Sequence, residues 1–114
     1  MKLLFVSPIS DVWNERKHIP LGLGYLAAVL LEAGHEVQVF DAAVEDASLA
    51  ERLDQQGFDF VGITATTPLI YEAWEAARQA KERGALTILG GAHPTLMPEE
   101  SLGRPEVDLV VRGE

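Results

Sequence analysis

Several apolar runs in this sequence end at small or polar residues that could bind a ligand. One run stops at Gly90 and Gly91, with His93 close behind, and another stops at Thr64, with Thr66 two residues later. Glycine has no Cβ, so a ligand can lie directly against its backbone. A threonine hydroxyl can both donate and accept a hydrogen bond. The combination favours a ligand with phosphate, hydroxyl or amide groups, although two adjacent glycines are also typical of a tight turn.

A second set of candidate residues lies between the first apolar run and the first helical pattern. Residues 9–19 show neither helical nor strand periodicity, and the segment is about twice as long as an ordinary strand-to-helix loop, which favours a functional role. Ser7 precedes this loop, and Gly22 follows it in the first helical turn. Glycine there destabilises a helix by up to about 1 kcal/mol relative to alanine. We therefore expect a compensating close approach of a strand or a ligand to Gly22. The loop itself contains polar and aromatic side chains suited to binding: Asp11, Trp13 and His18.

The pattern of apolar residues predicts how the chain positions these groups. Strands are predicted over residues 2–6, 36–40, 58–63, 86–89 and 107–111, and helices begin near Pro20, Asp46 and Pro68, with a short helix within 96–102. Strands that alternate with helices indicate an α/β fold, a flavodoxin-like (Rossmann-like) doubly wound parallel sheet of order 2-1-3-4-5. In that order the first, third and fourth strand-to-helix loops share one edge, so the candidate residues should converge there.

No helical pattern follows the fifth predicted strand. Doubly wound domains normally carry a helix there, so we expect one face of the sheet to be partly exposed. We also expect residues 1–114 to be one domain of a longer polypeptide, with an unusually minimal domain as the alternative. A partner or a second copy, giving a homodimer, could cover the exposed face.

Composition excludes several classes of function. The 114 residues include no cysteine, which rules out disulfides, thiolate metal sites and iron–sulfur ligation within this chain and is compatible with a cytoplasmic location. The formal net charge of −9 disfavours nucleic acids and anionic membranes as partners. The longest apolar segment, residues 21–31, is too short and too rich in glycine to span a bilayer.

Other ligands on the same fold fit the sequence less well. Asp41 could bind a ribose hydroxyl in a dinucleotide site, but the first loop lacks the G-x-G-x-x-G pattern that binds the phosphates. A phosphoryl receiver requires an aspartate at the end of the third strand, where Thr64 stands. Flavin or nucleotide binding stays open, since hydroxyl-rich loops suit phosphates, and so does a regulatory or interaction domain without a ligand.

Five segments in order resemble a known family: residues 20–27, PLGLGYLA; 33–37, AGHEV; 61–64, VGIT; 90–95, GGAHPT; and 108–114, DLVVRGE. Together they resemble the amino-terminal cobalamin-binding domain of cobalamin-dependent radical S-adenosylmethionine enzymes. The resemblance implies a corrin across the carboxyl edge of the sheet, resting mainly on the first loop, with its nucleotide tail beside the third and fourth loops. It implies a cofactor-binding set made of Ser7, Asp11, Trp13, Gly22, Thr64, Thr66, Gly90, Gly91 and His93.

The sequence departs from one motif found in cobalamin domains of the methionine synthase and mutase type. Those domains carry D-x-H-x-x-G, whose histidine binds cobalt, whereas residues 11–16 read DVWNER here. The indole nitrogen of Trp13 has no lone pair for a metal, so the departure favours the radical-enzyme branch and leaves His18 as a weak alternative cobalt ligand. The chain is thus expected to be a binding module with no catalysis of its own. Radical methyl transfer or cyclisation, with its iron–sulfur cluster and S-adenosylmethionine, would belong to another domain.

Overall fold

The computed structural model describes residues 1–8, 21–42, 45, 48–65, 69–91, 94 and 97–111, with residues 21–25 and 98 described by their backbone only. The strands are β1 (Lys2–Ser7), β2 (Glu36–Asp41), β3 (Phe60–Thr64), β4 (Leu86–Gly90) and β5 (Leu109–Val110). The helices are α1 (Leu21–Glu32), α2 (Leu49–Gln55), α3 (Ile70–Glu82) and α4 (Pro98–Leu102).

The five strands form one parallel sheet in the order β2-β1-β3-β4-β5. This confirms the predicted flavodoxin-like arrangement. The order places the carboxyl ends of β1, β3 and β4 side by side, at the edge where parallel α/β sheets bind ligands.

One face of the sheet carries the core, and we call it the covered face. Alternate residues of β1, β3 and β4 are almost fully buried there: Leu4, Val6, Val61, Ile63, Thr87 and Leu89. Helix α3 packs on β3 and β4 through fully buried alanines, Ala73, Ala77 and Ala80. Since alanine has a small side chain, α3 can lie close to the strands. Leu53 of α2 joins the same cluster.

The opposite side of the sheet, which we call the open face, is only partly shielded. Most of its residues are half-buried or exposed: Leu3, Phe5, Val37, Val39, Phe60, Gly62, Leu86, Ile88 and Leu109. Helix α1 packs against β2, and its buried Ala27 lies outside the main core cluster. Within the described part of the chain, the expectation of a partly exposed sheet face is therefore confirmed.

Polar contacts fix β5, which is only two residues long, to the sheet. The Thr87 backbone N–H donates to Asp108 Oδ2 at 2.9 Å, and the Asp108 N–H donates to Thr87 Oγ1 at 3.1 Å. Beneath α4, the buried Trp74 Nε1 donates to Ser101 Oγ at 3.0 Å, and the Arg104 guanidinium lies 4.6 Å from the Trp74 ring. Trp74 is therefore a packing residue.

Helix α2 starts later than the sequence predicts. Helix α2 is capped by Ser48, whose Oγ accepts from the Glu51 N–H at 3.2 Å. Asp46, near which the sequence predicts the start of this helix, lies outside the described residues. Helix α3 begins at Ile70, after Leu69, which provides no side-chain cap. The predicted start of α2 was early because serine and aspartate near a helix start both resemble caps in sequence. Pro68, near which α3 was predicted to begin, lies outside the described residues. None of the described helices is long and apolar enough to cross a membrane.

Candidate functional site

Three of the predicted ligand-binding residues lie in one row at the carboxyl edge of the sheet. Thr64 of β3 pairs with Gly90 of β4, and Val6 of β1 pairs with Ile63 of β3, so Ser7 comes level with Thr64. Adjacent strands are about 4.8 Å apart, which places Ser7 and Gly90 about 10 Å from each other. The strand order therefore brings together residues that are up to 83 positions apart in the sequence.

Gly91 is a glycine because the protein itself leaves no room for a side chain. Its φ is +103°, and a Cβ there would lie 2.8 Å from both Thr64 Oγ1 and Ala65 O. The neighbouring backbone is held by a hydrogen bond from the Ala65 N–H to Gly90 O at 3.0 Å. The tight-turn interpretation therefore accounts for Gly91, and this turn locks the ends of β3 and β4 together.

Gly90 is different, because the described residues leave open space where its side chain would be. A Cβ on Gly90 would have its nearest neighbours among them, two atoms of Val111, at 4.0 Å. This residue has strand geometry and no positive φ, so backbone conformation does not require glycine. We call the space beside it, bordered by Val111 and the half-buried Thr64, the Gly90 hollow. Among the described residues, no side chain fills this space beside the Gly90 backbone.

The open face below Thr64 is also short of side chains. Gly62 lies two residues before Thr64 on the same face, and a Cβ there would meet the Phe5 ring at 2.8 Å. The Phe5 ring thus occupies the space that Gly62 leaves, while the space at Gly90 stays open. No local sequence pattern reveals this contact, because it depends on the β1–β3 register, which pairs Phe5 with Gly62.

The structure describes only some of the remaining candidate residues. Ser7 is 2% exposed, so its hydroxyl lies beneath the edge, and Thr64 is the more accessible hydroxyl. Gly22 is in the first turn of α1. The other predicted residues lie outside the described part of the chain: Asp11, Trp13, His18, Thr66 and His93.

Within the described residues, no group of three or more histidine, aspartate or glutamate side chains could hold a metal ion. A carboxylate with a perturbed pKa does lie beside a strand, but at the opposite, amino-terminal edge of the sheet. There the Asp108 pKa is lowered by the hydrogen bond from Lys81 and then by that from the Thr87 N–H. Thr64 and Gly90 therefore offer a hydroxyl group and bare backbone, which suit an uncharged or phosphate-bearing organic ligand.

A family model described as the B12 binding domain matches residues 15–114, which includes Thr64, Gly90 and Gly91. This chain belongs to the B12-binding domain family. The predicted family and the flavodoxin-like fold are thereby both confirmed.

Named relatives of this B12-binding domain are methyltransferases and cyclases. An uncharacterized methyltransferase of Pyrococcus horikoshii is 37% identical over the whole chain. The anaerobic magnesium-protoporphyrin IX monomethyl ester cyclase of Cereibacter sphaeroides is 35% identical, also over the whole chain. The bacteriochlorophyllide d C-8(2)-methyltransferase of Chlorobaculum tepidum is 30% identical over 93% of the chain.

The match occupies a small part of each relative. It spans 27% of the Pyrococcus protein, 20% of the Cereibacter cyclase and 22% of the Chlorobaculum methyltransferase. The relatives therefore contain much more polypeptide than the B12-binding domain alone.

Proposed function

We propose that this B12-binding domain binds cobalamin at the carboxyl edge of its sheet, with the nucleotide tail at the Gly90 hollow. The observation that carries the proposal is that hollow. Neither the φ of Gly90 nor the packing of its described neighbours requires a glycine, so the absent side chain leaves open space. The half-buried Thr64 lies beside that space. Bare backbone next to a hydroxyl suits an extended organic group that carries hydrogen-bonding atoms.

Each described residue has a separate proposed role. Thr64 Oγ1 hydrogen-bonds a polar group of the cofactor, and Gly90 admits the cofactor to the backbone. Gly91 holds the ends of β3 and β4 in place for both. Ser7, level with Thr64 but buried, supports the edge from below.

The first loop is proposed to contact the corrin through Asp11 and Trp13, with Thr66 and His93 adding contacts at the third and fourth loops. Gly22 allows close approach at the start of α1. When bound, cobalamin supplies a cobalt centre that can carry a methyl group. We assign no cobalt ligand to this chain, and a corrin spectrum unchanged by His18→Ala would agree with that assignment.

We further propose that the domain presents its cofactor to a radical S-adenosylmethionine catalytic domain in the same polypeptide. The relatives are methyltransferases and cyclases that are about four to five times as long as the match. This chain has no cysteine, so an iron–sulfur cluster would be held by that other domain. We also propose that the protein is located in the cytoplasm.

Flavin binding is the second candidate, since a hydroxyl-bearing edge also suits the phosphate of flavin mononucleotide. The two are separated by titrating the purified chain with hydroxocobalamin and with flavin mononucleotide in parallel. Cobalamin binding predicts a saturable change in the visible corrin spectrum and no change in flavin fluorescence. Saturable quenching of the flavin with an unchanged corrin spectrum would overturn the proposal.

A further inference from the structure

A cavity lies on the covered face of the sheet, in the groove between α2 and α3. Its volume is about 430 Å³, which is within the range of small-molecule sites in proteins. Val6 of β1 and Phe40 of β2 form its floor, and Leu49 of α2 and Ala76 of α3 line its two sides. The Gly90 hollow lies on the open face, so the sheet separates the two spaces.

A buried hydrogen-bond acceptor points to a ligand in this cavity. Gln79 of α3 lines the cavity, and its Oε1 is buried but accepts no hydrogen bond within the described part of the chain. The same side chain donates a hydrogen bond to the Glu75 carboxylate. Because only the amide Nε2 can donate to a carboxylate, this bond fixes the orientation of the amide and leaves Oε1 as the free acceptor. A ligand with an N–H group would satisfy that oxygen.

The charges around the cavity favour a cation. Glu72 and Glu75 line it, and the described lining residues include no lysine or arginine. Glu75 is paired with Arg78, whereas Glu72 has no ion pair among the described residues. Tyr71, next to Glu72, is 74% exposed and also lines the cavity, and an aromatic ring attracts cations. A phosphate-bearing ligand would be repelled here, unlike at the Gly90 hollow.

We propose that this cavity binds an aromatic amine, with a ring N–H donor at one end and an ammonium group at the other. The ring packs against Val6, Phe40 and Leu49, because these walls are apolar. The ring N–H donates to Gln79 Oε1, and the ammonium group pairs with Glu72. These two residues are seven positions apart on α3, which is about 10.5 Å along the helix axis. The two side chains and the ligand between them can bridge that span.

The probe for this site is tryptamine, which has an indole N–H at one end and an ammonium group at the other. It is titrated into the isotope-labelled 114-residue chain without cobalamin, and the backbone amide resonances are followed by NMR. We expect saturable shifts concentrated at Phe40, Leu49 and Ala76, with a dissociation constant of about 1 mM or lower. Indole-3-propionate has the same ring and a carboxylate in place of the ammonium group, so it should bind at least about ten-fold more weakly.

The role of Gln79 is tested by removing either partner of its hydrogen bond to the ligand. Gln79→Leu should weaken tryptamine binding about three- to ten-fold. Gln55→Leu is the matched control, because Gln55 is exposed at the end of α2 and does not line the cavity, and it should leave the affinity unchanged. Tryptamine methylated at the ring nitrogen lacks the N–H. It should bind the native chain more weakly than tryptamine does, and this result does not depend on the folding of a variant.

Three results would overturn the proposal. One is the absence of saturable shifts with tryptamine, and another is saturable shifts confined to residues away from the cavity. The third is an equal effect of Gln79→Leu and Gln55→Leu together with undiminished binding of the methylated analogue. Since no cobalamin is present, these results are independent of whether the chain binds the cofactor.

Discussion

Gly91 and Thr64 are so close that a Cβ on Gly91 would lie 2.8 Å from Thr64 Oγ1. This close approach joins the turn after β4 to the last residue of β3, and it fixes the edge of the sheet at which Gly90 and Thr64 lie. Gly91 therefore serves the protein's own packing, whereas Gly90 leaves open space among the described residues.

Replacing Gly91 should destabilise the fold. Gly91→Ala combines a strained φ of +103° with close backbone contacts, and we expect a loss of about 1–3 kcal/mol in the free energy of unfolding. Urea denaturation followed by circular dichroism measures this change. Gly84→Ala is the control, because Gly84 also has a positive φ but no described atom lies within 4 Å of the place where its Cβ would be. Equal losses for the two variants would show that the contact with Thr64 has no energetic effect.

The Thr64 hydroxyl should contribute to cofactor affinity. Thr64→Val keeps the shape of the side chain and removes the hydrogen bond, so affinity for hydroxocobalamin should fall about three- to ten-fold. Thr64→Ser retains a hydroxyl and should stay within about two-fold of the native chain. Titration by visible absorption gives all three constants. An unchanged affinity for Thr64→Val would remove Thr64 from the binding set.

The hydrogen bond from Trp74 to Ser101 should stabilise the packing of α4 on α3. Ser101→Ala leaves the buried indole N–H without its partner, which should cost about 1–3 kcal/mol of unfolding free energy. In a Trp74→Phe background there is no indole N–H to satisfy, so the same substitution should cost much less. A double-mutant cycle in urea measures the coupling, and additive effects would contradict the assignment.

Asp108 should make stability sensitive to acid. Folding lowers its pKa below the ordinary value of 3.8, through Lys81 first and the Thr87 N–H second. Its contribution is therefore present above that ordinary value and is lost as the pH falls through the lower, folded pKa. Asp108→Asn should be less stable than the native chain at pH 7, and the difference should shrink towards pH 3. Urea midpoints across this range measure it, and a difference that grows in acid would have the wrong sign.

The order of the strands could be predicted from the sequence because each strand is a short apolar run separated by a helical pattern. That order predicted that the candidate residues meet at the carboxyl edge of the sheet, and therefore that Thr64 lies close to Gly90. Family membership followed from five separate segments. The strand order and the shared edge follow from local patterns together with one general rule of topology, whereas the family was identified by the resemblance of its motifs.

Other features depend on contacts between distant residues, which no local pattern shows. Gly90 and Gly91 look equivalent in sequence. The positive φ of Gly91 and the positions of Thr64 and Ala65 beside it separate a glycine needed for packing from one that leaves space. The contact of Phe5 with Gly62 requires the register of β1 on β3. The pairing of Thr87 with Asp108 fixes a strand of only two residues, for which strand periodicity gives almost no signal.

Filling the Gly90 hollow would show whether cobalamin binds at this edge. Gly90→Leu places a side chain in the hollow, and Gly57→Leu is the control, because no described atom lies within 4 Å of a Cβ at Gly57. Each chain is loaded with hydroxocobalamin and desalted, and the retained corrin is measured by visible absorption after circular dichroism has shown equal folding. We predict about one corrin per chain for the native protein and for Gly57→Leu, and little or none for Gly90→Leu. Full retention by Gly90→Leu, or no retention by the native chain, would contradict cobalamin binding at the hollow.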